Sequence, residues 1–332
     1  MSPLFFGAGA PEALEEGGMQ TWVQAGLFWM ALCERVRACA PSWNRIVAHW
    51  LVPSALAARA VAPQLPLTAY AHSGDVALLE RIPCGPSIAR ILSREIDDLI
   101  FVSADLQDRF ARLAGRMTGP SQLTPGRVAR LCHLGPGPSP SPSLPSFKDA
   151  RRDFRIAAGL RRTTVLSVGR LVPIKGFDIL LRAVATAAAC GVADDTIFPS
   201  AHPSPQPSTQ PSTVGKPSMT VVILGEGPER RRLETMAQRL GVDLRLPGCV
   251  PRTEVPRWMA AADIYVQPSR PLANGRTEGL PLATLEAINA GLQVIASKTG
   301  GLGGLDGVTN VAPGDVKALS ALLTDFAAKH PR

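Results

Sequence analysis

No C-x-x-C pair joins any of the six cysteines, which lie scattered at Cys33, Cys39, Cys84, Cys132, Cys190 and Cys249. That spacing excludes zinc ribbons and fingers, and a chain of 332 residues has no need of a disulfide framework. Reduced thiols in a cytoplasmic setting are the expectation. Long apolar runs are missing too. The nearest, WVQAGLFWMALC from Trp22 to Cys33, falls short of the roughly 20 residues a spanning helix requires. It reads as a packed helix that could also touch a bilayer surface. The first residues do not resemble a secretory leader, and no Asp-x-Asp metal motif occurs anywhere in the sequence.

What is present is a globular composition, 45% hydrophobic and 19% charged, sufficient for two domains with real cores. A formal charge of +8 is compatible with nucleic acid, an anionic membrane surface or phosphorylated ligands, and selects none of them. Two low-complexity stretches interrupt the chain. LGPGPSPSPSLPS, Leu134 to Ser146, alternates proline with other residues, which excludes helix and favours an extended linker. FPSAHPSPQPSTQPSTVGKPSM, Phe198 to Met219, is richer still in Pro, Ser and Thr and reads as a disordered surface insertion at 198–219.

The linker predicts a boundary between residues 1–146 and 147–332. Ahead of it, RIVAHWLV, LPLTAYAHS, DDLIFVS and RVARLCH are short apolar runs suited to buried strands. SREIDD and ADLQDRFARLAG read as helices between them, the second capped at Ser103 or Ala104–Asp105. After it, TTVLSVG, MTVVILG, VDLRLPG, DIYVQPS, LQVIAS and VTNVAP read as strands. Helices follow from about Asp178, Glu229, Thr253, Pro281 and Asp315. Such alternation predicts α/β architecture with two Rossmann-like halves, each a parallel sheet covered by helices, and directs attention to the loops after the strands.

Three loops carry candidate chemistry. In LSVGRLVPIKGFD, Gly169 ends a strand, Arg170 and Lys175 follow, and Gly176 precedes a helix. Two cations beside a helix N-terminus can hold a phosphate, although an Arg and a Lys by themselves also suit an ordinary solvated loop. In ILGEGPERRRLE, Gly225 and Gly227 could bring backbone close to a ligand or merely make a tight turn; the third glycine of the dinucleotide fingerprint is absent. In TEGLPLATLEAINAGLQVIASKTGG, Pro281 suits the first position of a helix, so Glu278 lies in the loop before it and Glu286 inside it. Eight residues of helix would separate them by about 12 Å, the span of a ligand with a sugar at one end and a ribose at the other. Two glutamates near a helix end are equally compatible with plain surface.

GRLVPIKG, LGEGPERRRLE, ADIYVQPS and EGLPLATLEAINAGLQVIASKTGG, in this order, resemble the retaining nucleotide-sugar glycosyltransferases of family four, with the flavour of bacterial exopolysaccharide enzymes. IVAHWLVP, AYAHSGDV and DDLIFVSADLQDRF match that family's acceptor-side domain more loosely. The resemblance implies a GT-B fold, two Rossmann-like domains facing a cleft, and sugar transfer from a UDP- or GDP-linked donor to a glycan or lipid-linked acceptor. It implies retention of configuration, no metal, no cofactor and no nucleic-acid partner. By position, Arg170 and Lys175 would hold the donor diphosphate. Glu286 would bind the ribose, with Gly169, Gly227, Gly279 and Leu280 lining the donor site. Glu278 would contact the donor sugar near its anomeric carbon, and His72 would face that sugar, with Asp75 supporting its loop. Gly300 and Gly301 would form a glycine turn nearby. His49 and His133 are read as structural, and His72 has the alternative of a satisfied core histidine.

Some features depart from the family pattern. The sequence begins beyond the usual first strand and glycine-rich loop, so the N-terminal domain is expected to be incomplete and less stable. GGLGG at 300–304 stands in place of a bulkier, often acidic turn, and LLTDFAAKHPR stops early for a last helix that would cross back. A non-catalytic nucleotide-sugar-binding remnant is therefore the second reading. A nicotinamide-dependent dehydrogenase is disfavoured by the missing glycine after Gly227 and by the lack of an acidic residue closing the next strand. The basic charge and the segment around Trp22 and Trp29 suggest an acceptor at the inner face of a membrane.

Overall fold

In a computed structural model the described residues are 17–115, 128–131, 147–160, 162–190 and 219–330. Both proline-rich stretches, apart from Met219, which opens a strand, lie outside them, as do His133 and the predicted boundary at 146. The chain divides into two compact units. The first comprises Met1–Pro136, Arg270–Leu282 and Lys298–Leu305; the second comprises Gly137–Ser269, Ala283–Ser297 and Asp306–Arg332.

The first unit begins with α1 (Met19–Cys39), then β1 (Ile46–His49), α2 (Leu56–Val61), β2 (Leu67–Ala71), α3 (Ser73–Arg81) and α4 (Gly85–Glu95). It continues through β3 (Asp98–Phe101), α5 (Ala104–Leu113) and β4 (Val128–Leu131). The four strands pair in parallel, in the order β1-β2-β3-β4. Leu67, Ala69 and Ala71 on β2, with Leu79, Leu92, Phe101 and Phe110 around them, form its core. Ser103 caps α5, its hydroxyl accepting from the N–H of Leu106.

Two expectations are corrected here. SREIDD is not helical throughout: α4 ends at Glu95 and Asp98 opens β3. Asp97 serves the turn between them, its carboxylate accepting from the N–H of Leu67 at 2.8 Å and pairing with Arg59 at 3.3 Å. The Trp22–Cys33 segment is helical but hardly packed, since Cys33 is the one buried residue of α1. Its apolar side chains Trp22, Val23, Leu27, Phe28 and Met30 run around the helix rather than along one stripe. Contact with α2 therefore leaves many of them exposed.

The second unit runs through α6 (Phe147–Ala157), β5 (Thr163–Val168), α7 (Phe177–Cys190), β6 (Met219–Leu224), α8 (Arg230–Leu240), β7 (Asp243–Gly248) and α9 (Val255–Ala261). It ends with β8 (Ile264–Gln267), α10 (Leu282–Asn289), β9 (Gln293–Ser297), β10 (Val308–Val311) and α11 (Val316–Lys329). Its strands form one parallel sheet in the order β10-β9-β8-β5-β6-β7. Alternation along each strand divides the apolar residues between the faces: Val165, Val221 and Ile223 join α7 and α11 on one side, Leu166, Val222 and Leu224 join α9 on the other. Both faces are covered, which is why these strands read as continuous apolar runs rather than alternating ones. Asp263 anchors the start of β8, paired with Arg151 at 3.1 Å and Arg155 at 3.2 Å and accepting from the N–H of Thr164 at 2.8 Å.

Strand order reverses between β5 and β8. The loops leaving the carboxyl ends of these two strands diverge there, making the crevice in which open α/β sheets bind ligands. Residues 169–176 follow β5, and the chain segment after β8 leads to α10.

Candidate functional site

In the second unit, the loop after β5 is built by close backbone packing. The N–H of Gly169 donates to the carbonyl of Leu224 at 2.9 Å, and that of Leu171 donates to Glu226 at 2.9 Å. A Cβ on Gly225 would stand 2.0 Å from the Gly169 oxygen, and one on Gly227 would stand 2.4 Å from the Leu171 oxygen. Both glycines thus let the loops after β5 and β6 lie against each other, the tight-turn alternative noted above. Pro173–Lys175 makes one 3-10 turn ended by Gly176 at φ 65°, ψ 26°. A side chain at Gly176 would meet the Pro268 carbonyl at 2.0 Å, so the glycine joins this turn to the end of β8. Lys175 folds back over Gly169, its Cε only 2.9 Å from where a Gly169 Cβ would sit. Arg170 is exposed and Lys175 half-buried, so both cations stand at the switch point, ahead of the N-terminus of α7.

The end of β8 is held by a buried chain of hydrogen bonds. Tyr265 Oη donates to Gln267 at 2.9 Å, and the Gln267 amide donates to Ser269 Oγ at 2.9 Å. Glu286 occupies the fifth position of α10 and is half-buried. Its Oε1 lies 3.3 Å from an Arg252 guanidinium that is 71% exposed. Arg252 had no signal in the sequence, because the loop after β7 meets α10 only in the folded sheet.

In the first unit, β1 ends in His49, and His72 directly follows the last residue of β2. His49 Nδ1 lies 3.2 Å from His72 Nε2. His72 begins α3 in a reciprocal capping box with Asp75, whose Oδ1 accepts from the His72 N–H at 2.9 Å. Asp75 is fully buried and also accepts from the N–H groups of Val76 and of Leu51, in the segment after β1. Burial pushes its carboxyl up to about 7, against the pull of those backbone donors. Burial, followed by the neighbouring His49, brings His72 down to about 4, so its imidazole is neutral at physiological pH. Asp75 therefore does support the His72 loop, and does so by joining it to the loop after β1.

Glu278 also belongs to this unit, whereas Glu286 belongs to the other. Gly300, at φ 52°, gives way to the backbone of Glu278: a Cβ there would lie 1.7 Å from the Glu278 oxygen. The N–H of Gly301 donates to the Gly279 carbonyl at 2.7 Å. Gly279 faces the start of α3, with Ser73 Oγ 3.6 Å from the place of its missing Cβ, so the Glu278 loop and the His72 turn are neighbours. Leu280 is half-buried in the same loop.

Sequence reading missed what holds this loop. Arg109 on α5 is 8% exposed. Its Nε and Nη2 donate to the Glu80 carboxylate at 3.0 and 2.5 Å, and its Nη1 donates to Thr277 Oγ1 at 3.0 Å. Hydrogen bonding to Glu80 raises the guanidinium further despite its burial. Arg109→Met is expected to destabilise the chain by about 3 kcal/mol, the usual cost of breaking a buried ion pair. Thr277→Val should cost only about 1 kcal/mol while freeing the Glu278 loop. Thermal unfolding of both variants checks this order.

The fold is that of GT-B enzymes. HepE of Anabaena, solved with UDP and glucose, superimposes with a TM-score of 0.61 at 20% identity over 90% of this chain and 72% of its own. A trehalose-phosphate synthase from Burkholderia xenovorans gives 0.68 at 15% identity over 96% and 72%. Residues 150–329 match the family model Glycosyl transferases group 1, and the chain belongs to that family. A GDP-mannose-dependent alpha-(1-6)-phosphatidylinositol monomannoside mannosyltransferase of Mycolicibacterium smegmatis is 30% identical over 86% of this chain and 66% of the relative. The putative colanic acid biosynthesis glycosyltransferase WcaL of Salmonella typhimurium is 28% identical over 49% of this chain and 36% of its own length. The chain thus spans 66% or less of the length of these relatives. No helix among the described residues is long and apolar enough to cross a membrane.

Proposed function

We propose that this protein transfers a sugar from a UDP- or GDP-linked donor to a glycan or lipid-linked acceptor, with retention of anomeric configuration. The observation that carries the reading is the pair of cations, Arg170 and Lys175, at the switch point of the second sheet beside the start of α7. Departure of a nucleoside diphosphate develops negative charge, and fixed cations with a helix N-terminus stabilise that charge without a metal ion. Glu286, on the helix that follows β8, suits the ribose hydroxyls, since a carboxylate accepts from two of them at once. Glu278 serves the sugar, with the neutral His72 imidazole near its loop, and front-face attack by the acceptor is the route to retention. Relatives named for phosphatidylinositol mannosides and colanic acid support lipid-linked or glycan acceptors. The exposed apolar residues of α1 support contact with a membrane face.

Calorimetric titration with UDP, GDP and their sugar conjugates tests the donor site. Glu286→Ala should weaken nucleotide binding about tenfold or more, the worth of a charge-assisted hydrogen bond. Arg252→Ala, which removes an exposed ion pair worth about 0–1 kcal/mol, should change affinity little. Equal affinity in wild type and Glu286→Ala would overturn the ribose assignment. Absence of nucleotide binding by the folded chain would leave only kinship, whereas binding without sugar transfer would mark a non-catalytic nucleotide-sugar-binding remnant. Activity that persists in excess chelator is the expected sign of metal independence.

A further inference from the structure

We propose that Arg109 is a positioning residue for the donor sugar: through Thr277 it fixes the stretch of backbone from which the Glu278 carboxylate projects. The inference rests on the glycosyl-transfer reading above, with Glu278 as the group that serves the sugar, and adds the residue on which that group depends.

Glu278 is held through both of its neighbours. After it, the Gly301 N–H donates to the Gly279 carbonyl at 2.7 Å, and Gly300 leaves room for the carbonyl of Glu278 itself. Before it, the Thr277 hydroxyl accepts from Arg109 Nη1 at 3.0 Å. With residues 277 and 279 both anchored, the peptide between them has little freedom, and the carboxylate is placed by its own side-chain torsions. The same guanidinium reaches α3. Its Nε and Nη2 donate to the two oxygens of Glu80, in the last turn of that helix. At the opposite end of α3, Ser73 Oγ lies 3.6 Å from where a Gly279 Cβ would sit. The Glu278 loop is therefore tied to both ends of α3, the helix that His72 caps. One buried arginine keeps the two groups in a common frame.

Packing alone does not call for an arginine here. Arg109 is 8% exposed, and a buried ion pair exchanged as a whole for apolar side chains is often neutral or stabilising. Glu80 by itself thus gives no reason for a charge at this position, whereas the third contact does. The guanidinium is a rigid planar fork. Glu80 occupies one side of it, which fixes the plane and aims Nη1 at Thr277. Asp105, one turn earlier on α5, stands 3.6 Å from the same Nη1. A lysine could pair with Glu80 but has no second arm held in a set direction.

The test measures, by calorimetry, affinity for bare UDP and GDP and for their glucose and mannose conjugates, and compares the ratio of conjugate to bare nucleotide. Glu278→Gln sets the scale. It should leave the bare nucleotide unchanged and move the ratio about tenfold or more against the conjugate, the worth of a charge-assisted hydrogen bond. Thr277→Val keeps the side chain's shape, removes its hydroxyl, and should move the ratio the same way by about tenfold. Thr277→Ser keeps the hydroxyl and should retain the wild-type ratio, a rescue that a merely space-filling role would not give. Arg109→Met combined with Glu80→Leu removes the ion pair as a unit, so no carboxylate is stranded, and should match Thr277→Val. Adding Thr277→Val to that pair should move the ratio no further, since all three residues act through one contact. A wild-type ratio in Thr277→Val, with Glu278→Gln shifted, would overturn the Arg109 assignment and leave the transfer reading standing. A wild-type ratio in Glu278→Gln would overturn the role of Glu278 and the Arg109 assignment with it. If the wild-type chain binds none of the sugar conjugates, the transfer reading and this inference both fall.

Discussion

Arg170→Ala combined with Lys175→Ala is expected to reduce affinity for UDP or GDP by ~10²- to 10⁴-fold, enough to abolish detectable binding. Each side chain would make a charge-assisted contact to the diphosphate worth about 1.5–3 kcal/mol, and each 1.4 kcal/mol is tenfold. The two act on one ligand group, so their effects need not add fully, and the lower figure is the safer floor. The substitutions leave in place the backbone bonds of Gly169 and Leu171 and the Gly176 corner, which help to shape the loop. Calorimetry on the folded double variant decides: affinity within threefold of wild type would remove these residues from the donor site.

Asp75→Ala should produce the largest loss of stability of any single substitution discussed. The carboxylate receives N–H groups from Leu51, His72 and Val76, and truncation strands them in a fully buried place. At roughly 1–3 kcal/mol per stranded group the loss is about 3 kcal/mol or more, partly offset because a buried carboxylate no longer has to be desolvated. Against a total of about 5–15 kcal/mol this is a large fraction. Chemical denaturation measures it, and a loss below about 1 kcal/mol would show that the carboxylate does not tie the two loops together.

The same residue pair predicts a pH signature. Asp75 is raised from 3.8 to about 7, so the folded chain holds a proton there that the unfolded chain has released. Its contribution is full below 3.8 and is lost as pH rises through about 7. His72 is lowered from 6.5 to about 4, so the unfolded chain takes up a proton first, and stability falls as pH drops from 6.5 towards 4. Between about 4 and 6.5 the two slopes oppose each other. His72→Gln should therefore expose a stability that decreases with rising pH over this window, and Asp75→Asn one that increases. Denaturation midpoints at three pH values in the window check both signs.

Much of the fold could be read from residue order because it depends on local rules. Strands such as TTVLSVG and MTVVILG are apolar at consecutive positions since both faces of the sheet are covered, and Ser103 caps α5 through its own hydroxyl. SREIDD misled for the opposite reason. Only Arg94 and Glu95 in it are good helix formers, whereas the two aspartates are poor ones, and Asp97 is recruited across the fold by Leu67 and Arg59. Trp22 to Cys33 misled because helicity is local, whereas packing depends on which neighbours a helix finds.

The sequence by itself determined the α/β class, the strand–helix alternation and the family, together with the positions of Arg170, Lys175, Glu278 and Glu286 in loops and helix starts. These follow from residue type and spacing along a single stretch of chain. The tertiary structure alone decided the switch point between β5 and β8, since strand order is not written in any one segment. It also decided that Gly300 yields to the Glu278 carbonyl and that Arg109 reaches Thr277 across 168 residues. The same is true of His49 and His72, 23 residues apart, which become a hydrogen-bonded pair only because β1 and β2 lie side by side in parallel register. Contacts of that kind arise where the folded chain brings distant backbone together, and no local pattern records them.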